Sequence, residues 1–324
     1  MTPRPEPAGR APRPARNSTG AEPVAGHEHC RGHGSDQYPG QEPGRRTGVT
    51  VACCQIAPRV GRVGENRERI RTAVLAAADR GADIVVLPEL ANSGYVFEDA
   101  DELRSVAEPL DGPTVTEWEE LAARLGLVIA GGFAELGEDG RVHNSGVLVD
   151  DSGLRASYRK AHLWNGEKTW GFTPGGAPPP VVDTPHGRIG LMVCYDLEFP
   201  EWVRLAALRG AELLCGPVNW PLYPRPEGER PGEIVRVQAD ASVNRMFVAV
   251  ADRTGTERGQ DWLGGSVIVD ADGYPVSGLR LGEEAVVTAT IDLAEARDKT
   301  ISERNDVHAD RRPGLYAGIG TEQP

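Results

Sequence analysis

The sequence predicts a layered α/β fold, sheet-rich inside with helices outside. Three observations point there. From residue 48 onward, short apolar runs of strand length alternate with amphipathic stretches of helix length. Some neighbouring apolar runs are joined by hairpin-sized turns such as Asp150-Asp-Ser-Gly153. Others are separated by a whole helix, as a β-α-β crossover requires.

The elements follow in order. Thr50–Ile56 reads as a first strand, with Cys53 and Cys54 on opposite faces. Glu65–Arg80 has helical periodicity, with Ile70, Val74, Leu75 and Ala78 on one face and Gly81 at its end. Asp83–Pro88 is a short apolar strand that stops at Glu89. Thr114–Leu125 is a second helix, and Leu127–Phe133, Ser145–Val149 and Leu154–Tyr158 are strands. The apolar run from Gly187 ends on Cys194, and a helix start follows within a few residues. Glu201–Arg209 and Pro231–Asn244 are helices; Glu212–Cys215, Met246–Ala251, Gly264–Asp270 and Ala285–Ile291 are strands. Ala271-Asp-Gly273 repeats the earlier turn chemistry.

Residues 1–48 have a different texture. They are rich in Pro, Gly and Arg and nearly free of large apolar side chains. Such a stretch buries too little surface to offset the entropy of ordering, so a disordered tail is expected. Its His27, His29, Cys30 and His33 have no second ligand group nearby, so they read as a solvated cluster. The domain is expected over 49–313, followed by a tail over 314–324.

Composition narrows the function. The chain has 324 residues, 39% of them hydrophobic, and a net charge of −13. One large α/β domain is within reach of that length. The acidic balance argues against nucleic acid as partner, because phosphate backbones need basic surface. Five cysteines at 30, 53, 54, 194 and 215, with no CxxC pair, make a disulfide framework improbable and fit a reducing compartment. No apolar run reaches membrane-spanning length and none resembles a signal peptide core, so a soluble cytoplasmic protein is expected.

Three polar residues end otherwise apolar strands: Glu89, Lys160 and Cys194. Strand ends that feed loops are where α/β folds assemble sites. The residue types also form a chemical set. A thiol attacks, a carboxylate shuttles protons and an ammonium stabilises an oxyanion. A helix start just after Cys194 would favour its thiolate.

The segments Leu87-Pro-Glu-Leu90, Tyr158-Arg-Lys-Ala-His-Leu163 and Val193-Cys-Tyr-Asp-Leu-Glu-Phe-Pro-Glu201 resemble the motifs of the nitrilase superfamily of carbon–nitrogen hydrolases, in that family's order and spacing. The resemblance covers roughly residues 49 to 313. It implies a four-layer αββα sandwich and a Glu–Lys–Cys triad, with Glu89 as proton shuttle, Lys160 as oxyanion stabiliser and Cys194 as nucleophile. It adds Glu167, ahead of Trp170 and Pro174-Gly175, as a second glutamate that orients the lysine or positions substrate. It implies attack of Cys194 on an amide, an oxyanion held by Lys160 and the Tyr195 N–H, and a thioester that water hydrolyses. No metal or organic cofactor is required, and the core lacks a GxGxxG or P-loop signature.

Substrate follows from the same resemblance. Branches acting on N-carbamoyl amino acids tend to place arginine after the cysteine, whereas this chain has Asp196-Leu-Glu198. If Glu198 faces the pocket, a substrate carboxylate is repelled and a small neutral or cationic amide is favoured. The run followed by Gly216-Pro-Val-Asn-Trp-Pro221 looks most like the amidase branch. Nitrilases typically carry Cys-Trp-Glu at the nucleophile, from which Cys194-Tyr-Asp departs. N-carbamoyl hydrolysis, nitrile hydrolysis and acyl transfer remain alternatives on the same triad, and a non-catalytic binding protein would have no use for it. Tyr95, Trp164, Trp170, Asn219 and Trp220 are the candidates to line a small-molecule cleft. The resemblance also implies a homodimer or higher homo-oligomer through Glu201–Arg209 and Asp310–Tyr316.

Overall fold

Two sheets lie face to face, and their strands are built from the apolar runs above. The computed structural model describes residues 48–320. The N-terminal tail, with His27, His29, Cys30 and His33, and the last four residues lie outside the described residues.

The first half runs β1 (Val49–Gln55), α1 (Val63–Asp79), β2 (Ile84–Val86), α2 (Ala100–Val106), α3 (Pro113–Leu125), β3 (Val128–Leu136), β4 (Val142–Asp150) and β5 (Gly153–Arg159). The second runs β6 (Val181–Thr184), β7 (Gly187–Leu191), α4 (Pro200–Leu208), β8 (Leu213–Val218), α5 (Gly232–Asn244) and β9 (Phe247–Asp252). The small pair β10 (Thr256–Glu257) and β11 (Gln260–Asp261) follows, then β12 (Val267–Val269) and β13 (Ala285–Ile291). Another small hairpin, β14 (Thr300–Ser302) with β15 (Asn305–Asp306), lies near the end.

The first sheet has the order β13-β1-β2-β3-β4-β5 and the second β12-β9-β8-β7-β6. In each, three central strands are parallel and the flanking pairs antiparallel. The last strand of the first sheet, β13, returns to pair with β1 along its whole length.

Strand alternation assigns the layers. Val51, Cys53, Ile84, Val86, Val128 and Ala130 of the first sheet share one apolar cluster with Ile189, Leu191, Leu213, Cys215, Val248 and Val250 of the second. The intervening Ala52, Cys54, Val85 and Ile129 pack outward with Ile70, Val74, Trp118 and Leu121 of α1 and α3. Helices α4 and α5 cover the other outer face through Val203, Ala206, Ile234, Val237 and Ala241. The result is the four-layer αββα sandwich.

Several elements differ from expectation. The buried face of α1 is Asn66, Ile70, Ala73, Val74 and Ala77, while Leu75 is exposed. Helical spacing from Ile70 selects 66, 73, 74 and 77, and Leu75 falls outside that stripe. The apolar run toward Cys194 leaves the sheet at Leu191, three residues early. Strand β12 keeps only Val267–Val269 of the expected Gly264–Asp270. Helix α2 and strand β6 were not expected.

Candidate active site

Glu89 occupies the turn that ends β2. That turn lies flat on β3: Ala91 N–H donates to Gly132 O at 2.8 Å and Gly132 N–H to Pro88 O at 3.1 Å. Only glycine allows this approach, because a Cβ at Gly132 would stand 2.6 Å from Glu89 Cα. Leu90, just after, has φ 48°, a conformation costly for a bulky residue. The backbone is thus forced to turn the carboxylate inward, where it is fully buried.

Lys160 follows β5 directly and is also buried. Its Nζ donates to Glu89 Oε1 and to Glu167 Oε1, each at 2.7 Å. Glu167 sits in a single helical turn over Asn165–Lys168. Its Oε1 also accepts from Tyr95 OH at 2.7 Å, and its Oε2 from Trp164 N–H at 2.9 Å. Asn144 of β4 joins the acids, donating through Nδ2 to Glu89 Oε1 at 2.7 Å and to Glu167 Oε1 at 3.2 Å. Glu89 Oε2 has no protein partner.

Cys194 opens a single helical turn over Cys194–Glu198 with φ 46°. It is 8% exposed, its Sγ 3.9 Å from Asn219 O. Asn219, just past β8, donates from Nδ2 to Glu89 O at 2.9 Å and so ties the second sheet to the acid's turn.

The electrostatics corrects one expectation. Burial, then the Glu89 charge, push the Cys194 thiol well above its usual pKa, with Lys160 opposing. The resting group is a thiol. Cys194 starts only a single short turn, and the longer helix α4 begins at Pro200. Burial raises the Glu89 carboxyl to about 7, Lys160 pulling it down and Glu167 pushing it up. Burial works against the Lys160 ammonium, yet Glu167 and Glu89 outweigh it and hold its pKa well above the ordinary value. A protonated thiol, an acid near neutrality and a fixed ammonium therefore meet in one buried cluster.

A cavity of about 240 Å³ opens onto Cys194, lined also by Trp164, Tyr195, Glu198, Asn219, Trp220, Pro221, Tyr223, Glu233 and Arg236. Trp220 is held there by its N–H, which donates to Asp252 Oδ1 at 2.9 Å. Trp164 and Tyr195 meet edge to face at 4.8 Å. Tyr95 and Trp170 are not in this lining. They pack edge to face at 5.7 Å, and the Tyr95 hydroxyl serves Glu167 instead.

Asp196 also points away from the cavity. It is buried and accepts from Tyr158 OH (2.7 Å) and His162 N–H (3.0 Å), bracing the lysine segment against the cysteine turn. Glu198 does line the cavity, but its Oε1 accepts from Arg236 Nη2 at 2.9 Å, so its charge is not free.

Sequence reasoning missed Asn144, Asp252, Glu233 and Arg236. The polar triplet His143-Asn144-Ser145 interrupting an apolar strand was the available signal for the first. Among the described residues, no group of three His, Cys, Asp or Glu side chains is placed to hold a metal ion. Nor is any helix there long and apolar enough to cross a membrane.

The chain is similar to known proteins over most of its length. The carbon–nitrogen hydrolase family model matches residues 50–299. A nitrilase of Pyrococcus abyssi is 36% identical over 272 residues, covering 83% of this chain and 99% of that protein. An (R)-stereoselective amidase of a Pseudomonas species is 34% identical, covering 85% and 96%. A crystal structure of an amidase from Nesterenkonia sp. superposes with a TM-score of 0.70 at 26% identity, covering 85% of this chain and 98% of that one. In a variant of that amidase the acetamide moiety of fluoroacetamide is covalently added at the active-site cysteine.

Proposed function

The chain belongs to the carbon–nitrogen hydrolase family, in the amidase-like branch of the nitrilase superfamily, a hydrolase of non-peptide C–N bonds, and we propose that it cleaves a small neutral or cationic carboxamide to carboxylate and ammonia through a Cys194 thioester. The observation that carries this reading is the hydrogen bond of one buried Lys160 Nζ to both Glu89 and Glu167, beside a cavity floored by Cys194.

The steps follow from the pKa ordering. Glu89, ionised above about pH 7, takes the Cys194 proton as Sγ attacks the carbonyl carbon. The oxyanion is held by Lys160 Nζ and the Tyr195 N–H, which lies in a first helical turn with no intrahelical acceptor. Collapse breaks the C–N bond, and Glu89 hands its proton to the departing nitrogen, releasing ammonia. Glu89 then removes a proton from water, which attacks the thioester. The second tetrahedral species expels the Cys194 sulfur, which recovers its proton from Glu89. Glu167, held by Tyr95, Asn144 and Trp164 N–H, keeps the ammonium in place throughout.

The Nesterenkonia enzyme's covalent adduct at its active-site cysteine supports the same role for Cys194. Incubation of a Glu89→Gln variant with fluoroacetamide followed by peptide mass spectrometry should place an acetamide increment on Cys194, with release of fluoride. A Cys194→Ala variant that still releases ammonia at the wild-type rate would sink the assignment. The exposed Leu205 and Leu208 of α4, with Leu315 and Tyr316, offer an apolar surface for pairing of copies. Sedimentation velocity checks this: a monomer at micromolar concentration would remove the proposal.

A further inference from the structure

The mouth of the cavity holds three ionic groups that the hydrolytic chemistry does not use. Glu198 comes from the turn after Cys194; Glu233 and Arg236 come from the first turns of α5. All three line the cavity that reaches Cys194. Arg236 Nη2 stands 2.9 Å from Glu198 Oε1 and 3.6 Å from Glu233 Oε1. Two carboxylates thus share one guanidinium, leaving one negative charge uncompensated at the entrance.

The groups differ in freedom. Glu233 is only 16% exposed and sits in the first turn of α5, where the helix dipole favours its charge. The Arg236 side chain is 41% exposed, with its charged head able to reach solvent. Glu233 is thus the enclosed acid of the entrance, while Glu198, 34% exposed, and Arg236 reach toward solvent.

We infer that Glu198 and Glu233 form a subsite for the positively charged end of an amide substrate, and that Arg236 is the stand-in cation which such a substrate displaces. The inference rests on the amidase reading and sharpens its substrate class to carboxamides bearing an ammonium or guanidinium group at the end away from the reacting carbonyl. A carboxylate-bearing amide is disfavoured by the same count, since it would bring a third negative group to a single arginine. A neutral amide leaves the three-way pairing undisturbed and gains nothing from it.

The test uses straight-chain primary amides of several lengths, each as a neutral, an ω-amino and an ω-carboxy compound. Binding is measured calorimetrically on Cys194→Ala, and ammonia release on the otherwise native enzyme. At the best length, the ω-amino amide should bind about fivefold more tightly than its neutral counterpart, the scale of a partly exposed ion pair. Glu198→Gln and Glu233→Gln should each bring the ω-amino-to-neutral ratio, in binding and in kcat/KM, down toward one. Arg236→Gln should raise that ratio, and raised salt should lower it. Parallel losses for all three compounds in the glutamine variants, or a preference for the ω-carboxy amide that Arg236→Gln abolishes, would overturn the inference. Charge-selective binding without any ammonia release would leave the subsite standing and remove the amidase reading instead.

Discussion

Asn144 offers the sharpest test of how the buried cluster sets its protonation. Its amide donates to Glu89 Oε1 at 2.7 Å, and this bond lowers the pKa of a carboxyl that burial has raised to about 7. Asn144→Leu keeps the approximate volume and deletes that donor. It also deletes Asn144 Oδ1, a buried acceptor with no protein partner, so the loss in folding stability is partly offset. A hydrogen bond to a charged group contributes about 1.5–3 kcal/mol, which is roughly 1–2 pKa units at 1.36 kcal/mol each. The Glu89 pKa should therefore climb further above its present value. The sign for activity is direct: protonated Glu89 cannot accept the Cys194 proton. Wild-type kcat/KM should rise about tenfold per pH unit below pH 7 and then level off. In Asn144→Leu the same limb should sit one to two units higher, lowering kcat/KM at pH 7 about 5- to 50-fold and restoring much of it near pH 9. Ammonia release between pH 5 and pH 10 measures both limbs. An unmoved limb with activity reduced equally at every pH would refute the reasoning, since it would make Asn144 a packing element only.

Two other perturbations are informative. Gly132→Ala places a methyl against Glu89 Cα and should cost about 1–3 kcal/mol of stability, read as a lower Tm by circular dichroism, together with most of the activity; an unchanged Tm would show that the turn has room. Tyr95→Phe removes one donor from Glu167 Oε1 and should lower kcat about tenfold with little change in KM, whereas a change in KM alone would place Tyr95 in substrate contact.

The residues that end strands were the legible ones. Glu89 and Cys194 each break a hydrophobic run, Lys160 follows the mixed strand Gly153–Arg159, and a strand end is a local property. Most main strands and helices were legible for the same reason, since period and turn residues are local. Strand β6 was not: Val181–Thr184 is only four residues, behind three consecutive prolines. Helix α2 has a local signal in Asp99, a residue type favoured at the N-cap, which accepts from Glu102 N–H at 2.9 Å. Asn144 was visible as an anomaly, but its partners lie 55 and 23 residues away. Tyr95 and Trp170 show the converse limit. An aromatic near a motif looks the same in sequence whether it faces ligand or braces an acid. Arg236 was hidden because the rotation of α5, not its own neighbours, brings it to Glu198 across 38 residues.

The two sheets divide the labour unequally. Glu89, Asn144 and Lys160 stand on the first sheet, and Glu167 follows directly from it. Cys194 stands on the second, and nine of the ten residues around the cavity come from that half of the chain, Trp164 being the exception. In the proposed mechanism proton handling and ligand choice fall to separate halves, joined by an apolar interior and a few polar ties such as Asn219 to Glu89 O. Changes in α5 or in the segment after β8 can redirect which molecules are accepted while the acid–ammonium cluster stays as it is. The sandwich behaves as a fixed reactor bolted to an exchangeable inlet.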